Sequence, residues 1–276
     1  MPYQEIEFGS QAYYFLAVLT FVFGTMIGSF LNVVVWRMPR GMSLSTPGSH
    51  CPKCGHVIPP WENIPILSWL FLRGRCSSCH TSISWRYPFG ESMVGVLFLL
   101  VFLHVFQSGL NLWVLLGSFW LTGLAFAVAL IDLEFRKIPN KLIYSSLIFG
   151  GLLLFFPEVR AIWLSDWVED KLYGTIVLLS VQVLLLAFFA GLSFLPYFRK
   201  RSCIPFGLGD VKYQAVMIVF LGVRRGFDVL LLGAVGGFVL GGLWQMIQLA
   251  RGRSKGDGSV AFGVFLSIAA YIRLFL

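Results

Sequence analysis

Apolar runs long enough to cross a bilayer recur along this 276-residue chain, and they constrain its fold more than any other feature. A membrane-spanning helix needs roughly 17–25 such residues. Eight runs can be read, at 13–36, 91–108, 112–131, 141–157, 171–197, 208–223, 227–249 and 259–275. Within hydrocarbon the backbone must satisfy its own hydrogen bonds, so each run is expected to be a helix. The glycines that several runs carry are tolerated there better than in soluble helices. The chain is 57% hydrophobic and 12% charged, whereas a soluble domain is about a quarter charged. The expected class is therefore an all-α polytopic membrane protein. No basic stretch with a following small-residue cleavage site marks the first run as a removable signal, so it is expected to stay.

Lysine and arginine concentrate in cytoplasmic loops. Arg37, Arg40, Lys53, Arg73, Arg75 and Arg86 follow the first run, and Arg136, Lys137 and Lys141 follow the third. Arg199, Lys200, Arg201 and Lys212 precede or open the sixth, and Arg251, Arg253 and Lys255 follow the seventh. These are sixteen of the 21 Lys and Arg; the other face keeps only Arg160, Lys171, Arg224, Arg225 and Arg273. This asymmetry explains the net charge of +8 without a nucleic-acid partner. It places both termini outside and the long loop between the first two helices in the cytoplasm. The polar stretch 251–258 reads as an anchor on the same side. Trp163 and Trp167, beside Asp166, Glu169 and Asp170, read as an outer interfacial belt.

The long loop carries Cys51-Pro-Lys-Cys54 and Cys76-Ser-Ser-Cys79. Each C-x-x-C pair lets two thiolates point at one ion, and two pairs at this spacing complete a tetrahedral four-cysteine zinc site. A loop with so few apolar residues cannot build a core, so a structural zinc would supply its folding energy. Two other readings stay open, a redox dithiol pair and a catalytic zinc. The latter needs an open coordination position that four thiolates do not leave. His50, His56 and His80 flank the cysteines as solvated side chains, and Cys203 stands alone as a bystander. The domain organisation expected is a first transmembrane helix over 1–36, a cytoplasmic zinc-binding domain over 37–90 and a transmembrane core over 91–276. Asn32, in an apolar run, is a candidate for interhelical hydrogen bonding or packing. Glu91 opens the second helix and suits either a capping or a functional role.

Only 13 residues are acidic, and two of them sit at the ends of apolar runs on the cytoplasmic side. Asp132 lies in Ala-Leu-Ile-Asp132-Leu-Glu134-Phe-Arg136, and Asp210 lies in Gly207-Leu-Gly209-Asp210-Val-Lys212. Ionisable groups at a membrane edge are costly and usually functional. Two carboxylates that meet can share one proton, because both cannot ionise cheaply. The ionised member takes a proton from water while the protonated member supports the scissile carbonyl. Gly207 and Gly209 leave room for a substrate backbone, and Lys212 stands ready to tune the pair or bind an acidic group.

Taken together these segments resemble the type IV prepilin peptidase family. The resemblance runs in order through Gly28-Ser-Phe-Leu-Asn-Val-Val-Val, Cys-Pro-x-Cys, Asn63-Ile-Pro-x-x-Ser, Arg73-Gly-Arg-Cys-x-x-Cys, Ile83-Ser-Trp-Arg-Tyr-Pro and Gly207-Leu-Gly-Asp-Val-Lys. It implies a membrane aspartic endopeptidase with Asp132 and Asp210 as catalytic pair. Its substrates would be prepilins and pseudopilins, which lose a short basic leader. It also implies S-adenosylmethionine-dependent N-methylation of the new terminal residue, often phenylalanine, at a cofactor site that the sequence does not locate. The implied location is the bacterial inner membrane, with the active site facing the cytoplasm. Where the family often has Pro-Phe-Gly-Pro, this chain has Ala261-Phe262-Gly263-Val264. Two other classes fit the bare pattern: a proton- or cation-coupled transporter with a zinc-binding loop, and a membrane scaffold without activity.

Overall fold

A computed structural model of the chain describes residues 10–109, 111–157, 207–241 and 261–275, with isolated positions at 159, 180, 182–184, 187, 243 and 247. The expected helix over 171–197 lies largely outside these residues. So do the tryptophan belt, Cys203 and the 251–258 loop. Among the described residues the fold is helical and contains no strand, only the isolated bridges His50–Val57 and Arg75–Ser82. Among the described residues, three helices are long and apolar enough to cross a membrane: Gln11–Arg40, Arg86–Gln107 and Leu112–Phe135. The chain divides into two compact units between Leu115 and Leu116.

In the first unit, α1 (Ser10–Arg37) and α3 (Arg86–Gln107) enclose the long loop in sequence. That loop holds two short 3₁₀ turns, Met38–Arg40 and Pro60–Asn63, and the one-turn helix α2 (Leu67–Phe71). The two long helices approach backbone to backbone. A Cβ at Gly24 would stand 2.8 Å from the Gly95 Cα, and one at Gly28 would stand 2.8 Å from the Glu91 Cα. Small residues four apart allow such approach, and dispersion then replaces the hydrophobic drive that lipid removes. Asn32 does bridge helices, its Nδ2 donating to the Tyr87 carbonyl at 3.3 Å. The outer side of α1 exposes Phe15, Val18, Val22, Met26 and Phe30, an apolar face suited to lipid and larger than soluble surfaces carry.

Helix α3 begins at Arg86, not at Glu91 as expected. Pro88 lies in its first turn, where the missing N–H costs nothing. Glu91 is therefore inside the helix and cannot cap its start.

The second unit holds most of α4 (Leu112–Phe135), α5 (Asn140–Leu153), α6 (Leu208–Gly236) with a π-helical extension over Gly237–Gly241, and α7 (Phe262–Phe275). Helix α4 stops where Arg136 turns left-handed, at φ 54°, and Pro139 follows. Trp120 ties α4 to α5, donating to Ser146 Oγ at 3.0 Å and stacking on Phe149. Helix α6 is not straight. Gly222 adopts φ 82°, ψ 170°, and Gln214 Nε2 donates to the Gly226 carbonyl at 2.6 Å. Twelve residues of straight helix would separate these groups by about 18 Å, so the chain doubles back at Gly222. This reversal falls at the end of the expected 208–223 run and before the 227–249 run. Helix α7 packs on the returning limb through Gly233, which faces Leu266, and through the Arg273–Asp228 ion pair at 2.7 Å. Buried Tyr213 meets Ser267 at 3.0 Å, and Tyr271 donates to the Thr122 carbonyl at 2.6 Å.

Gly24→Leu is expected to separate α1 from α3 and destabilise the protein by about 1–3 kcal/mol, the usual range for overpacking. Thermal unfolding in detergent checks this against Gly151→Ala, which meets nothing within 4 Å and should leave the midpoint unchanged or slightly raised.

Candidate active site and metal centre

Asp132 sits near the C-terminal end of α4 and is 6% exposed. Its Oδ2 accepts the Gly263 N–H at 2.9 Å, in the first turn of α7. Helix N-termini offer unsatisfied donors and a positive dipole end to a carboxylate. A Cβ at position 263 would stand 3.0 Å from that same oxygen, so any side chain here would crowd the carboxylate against the amide that holds it. The Arg136 guanidinium acts on Asp132 through space.

Asp210 is the third residue of α6 and is half-buried. Its Oδ2 accepts the Gly207 N–H at 2.9 Å, and its own N–H donates to the Gly207 carbonyl at 3.0 Å. This reciprocal cap makes the Gly-x-Gly-Asp segment a rigid helix start. Gly209 lies against Ile138, where a Cβ would come within 3.3 Å of the Ile138 side chain. Lys212 Nζ donates to Asn140 Oδ1 at 3.0 Å and lies 5.9 Å from the Tyr144 ring. These contacts hold the start of α6 beside the α4–α5 connection, and the two carboxylates lie within range of each other's charge. Each carboxylate has one oxygen held by a glycine amide, and neither has an ion-pair partner within 4.0 Å among the described residues.

Sequence reasoning singled out the residues around Gly263 for the two prolines they lack and passed over the glycine itself. A backbone donor leaves no side-chain signature. The lost prolines leave the turn intact: Phe262 is buried against Phe238, and the Val264 N–H, which a proline would lack, bonds to the Ala261 carbonyl at 3.3 Å.

In the first unit the four cysteines converge, with all ligand atoms within 4.8 Å of one another. Cys51 Sγ lies 3.8 Å from Cys79 Sγ, and Cys54 Sγ lies 4.0 Å from Cys76 Sγ. Tetrahedral bonds of about 2.3 Å place sulfurs about 3.8 Å apart, so this set fits a metal ion. The two halves are copies at the scale of one turn. Cys51 N–H bonds to the His56 carbonyl and Gly55 N–H to the Cys51 carbonyl; Cys76 N–H bonds to Thr81 and His80 N–H to Cys76 in the same way. Gly55 at φ 73° and His80 at φ 55° hold equivalent left-handed positions. The N–H groups of Cys54 and then Lys53 hold the Cys51 thiol down to about 6. The flanking histidines stay outside the cluster: His56 meets Glu62 at 3.6 Å, and His50 Nδ1 lies 2.9 Å from the Gly48 carbonyl.

Comparison with known proteins places the chain in a family. Residues 22–105 match the bacterial peptidase A24 N-terminal domain, and residues 119–242 match the type IV leader peptidase family. The chain is 31% identical to a type 4 prepilin-like proteins leader peptide-processing enzyme of Escherichia coli O78:H11, over 95% of this chain and 94% of that one. It is 34% identical to a prepilin leader peptidase/N-methyltransferase of Aeromonas hydrophila, over 93% and 89%. A protein of the same name from Stutzerimonas stutzeri is 31% identical, over 92% and 88%. No solved structure matches the chain. With both halves matched in order and relatives covered almost end to end, the chain belongs to the type IV leader peptidase family.

Proposed function

We propose that this protein is an inner-membrane aspartic endopeptidase that removes the short basic leader from type IV prepilins and pseudopilins, and that it then N-methylates the new terminal residue. The observation that carries the peptidase reading is the pair Asp132 and Asp210, each with Oδ2 tied to a glycine N–H and each within the other's electrostatic reach. In this reading the dyad holds one proton. The ionised member takes a proton from a water molecule as that water attacks the scissile carbonyl. The protonated member donates to the carbonyl oxygen and later supports the departing amine. The glycine amides keep each carboxylate oriented through the cycle.

The functional division follows the sequence: residues 1–36 as a first membrane helix, 37–90 as a cytoplasmic domain and 91–276 as the protease core. Eight membrane helices, with the dyad and the cysteine domain at the cytoplasmic face, fit the distribution of Lys and Arg. Cys51, Cys54, Cys76 and Cys79 would hold a structural zinc. Its chemistry is to fix the two turns where no core exists to do so. S-adenosylmethionine would supply the methyl group, in keeping with the N-methyltransferase named among the relatives.

Asp132→Asn and Asp210→Asn should each lower prepilin cleavage by on the order of 10³-fold, as expected for loss of a general acid or base, with expression unchanged. Incubation of purified protein with a prepilin in detergent, read by gel shift and mass, checks this; full cleavage by either variant removes the dyad. The rate of the intact enzyme should fall on both sides of a single pH optimum, because the pair works with one proton. About one zinc per chain should co-purify, the number one four-thiolate site holds. The double variant Cys51→Ser, Cys76→Ser should lose it, as measured by elemental analysis.

A further inference from the structure

Met26, Ser29, Phe30, Val33 and Arg37 form one stripe along α1, three or four residues apart, and line a cavity of about 380 Å³ in the first unit. Loop residues between Leu44 and Ser49, with Asn63 and Pro65, line the rest of it. The lining changes character along the helix. At the inner end Met26 and Phe30 are 57% and 51% exposed, on the face of α1 suited to lipid. At the outer end Arg37, the last residue of α1, stands with Ser45 and Ser49. Met26 and Arg37 are eleven residues apart, about 16 Å along the axis. One leaflet contributes about 15 Å of hydrocarbon, half of a core of about 30 Å. The cavity thus runs from apolar to cationic over the depth of one leaflet.

The charge at the outer end has no counter-ion. Arg37 is 8% exposed. Its guanidinium donates to the carbonyls of Pro47 at 2.8 Å, Ser43 at 3.2 Å and Gly48 at 3.4 Å. These dipoles orient the group and leave its positive charge intact. No carboxylate lies within 4.0 Å of Arg37 among the described residues, and none lines the cavity. Glu91, which accepts the Ile66 N–H at 2.7 Å and a hydrogen bond from Ser29, is not part of the lining. A buried charge is normally paired, because leaving it unpaired is costly. The missing partner is an anion, and the membrane beside α1 holds anions.

We propose that this cavity binds an anionic phospholipid, with its phosphate at Arg37, Ser45 and Ser49 and an acyl chain along Val33, Phe30 and Met26. Basic pockets beside membrane helices take anionic head groups in this way. The site requires only that α1 crosses the bilayer, and it is independent of the peptidase and methyl-transfer readings. A zwitterionic lipid fits less well, because its ammonium would enter a site that offers a cation and no carboxylate. A soluble phosphate would match the outer end and leave the apolar end unused.

Native mass spectrometry of the purified full chain tests this. Phosphatidylglycerol and phosphatidylcholine with identical acyl chains are added in turn to the protein in detergent. Phosphatidylglycerol should stay bound under activation that strips phosphatidylcholine, and equal retention of the two overturns the site. Glycerol 1-phosphate, a phosphate without chains, separates the two sources of anion. An excess of it should leave the lipid in place. Displacement of the lipid assigns the cavity to a soluble phosphate and overturns the proposal.

Ser45→Glu supplies a carboxylate at the outer end. It should lower phosphatidylglycerol retention about 10-fold, the scale of one lost charged contact, while Ser45→Gln retains the lipid. Both variants should keep the wild-type thermal midpoint in lipid-free detergent, because Ser45 is exposed and its hydroxyl meets Ser43 Oγ, at 3.2 Å, within the same loop. Unchanged retention by Ser45→Glu overturns the phosphate contact. Cross-linking of wild-type protein to phosphatidylglycerol that is photoreactive in its acyl chain needs no variant. With equimolar lipid its label should map to peptides holding residues 26–37, and label spread evenly over the apolar faces of α1 and α3 overturns the site.

Discussion

A carboxylate as deeply buried as Asp132 is costly unless a donor faces it permanently, and the Gly263 amide at 2.9 Å is that donor. Much of the second unit follows from this one bond. Helix α7 must begin beside the end of α4, and a side chain at residue 263 would crowd the carboxylate. Phe262, the residue before it, is wedged over Gly237, where no Cβ would fit. The returning limb of α6 is thereby fixed to the same point. Asp210 is held by the start of its own helix, through Gly207. The two carboxylates are therefore held at two helix N-termini, those of α6 and α7. Both present N–H groups and positive dipole ends to charge. Such a frame stabilises negative charge on these carboxylates without a cation in contact, the condition that the proposed shared proton requires.

The parts of this design legible in the sequence are those written in side chains. Hydropathy located α1, α4 and the two limbs of α6. The spacing of Cys51, Cys54, Cys76 and Cys79 foretold their convergence, and the glycines around Asp210 marked a special helix start. The parts that stayed hidden are written in the backbone. Gly263 acts through an amide that every residue but proline possesses. The start of α3 at Arg86 was masked by Arg-Tyr-Pro, a polar stretch that reads as loop although its proline sits harmlessly in a first turn. The twofold likeness of the cysteine turns was obscured because one left-handed position is Gly55 and the other His80, residues that share a backbone need and no chemistry.

Among the described residues, buried and half-buried charges are held in two ways. Arg273 and Asp228 neutralise each other at 2.7 Å; they tie α7 to α6, and packing explains them fully. Asp132, Asp210, Glu91 and Arg37 are held by backbone amides, carbonyls and a hydroxyl, with no ion in contact. Neutral partners can orient such a charge and lower the cost of burying it, yet they leave its field available to whatever enters. A fold under selection for stability alone would pair these groups or replace them with apolar ones, since a buried ion pair seldom outperforms good packing. Held this way, they are open to a substrate. In the second unit the uncompensated groups are two carboxylates, suited to moving protons at a peptide bond.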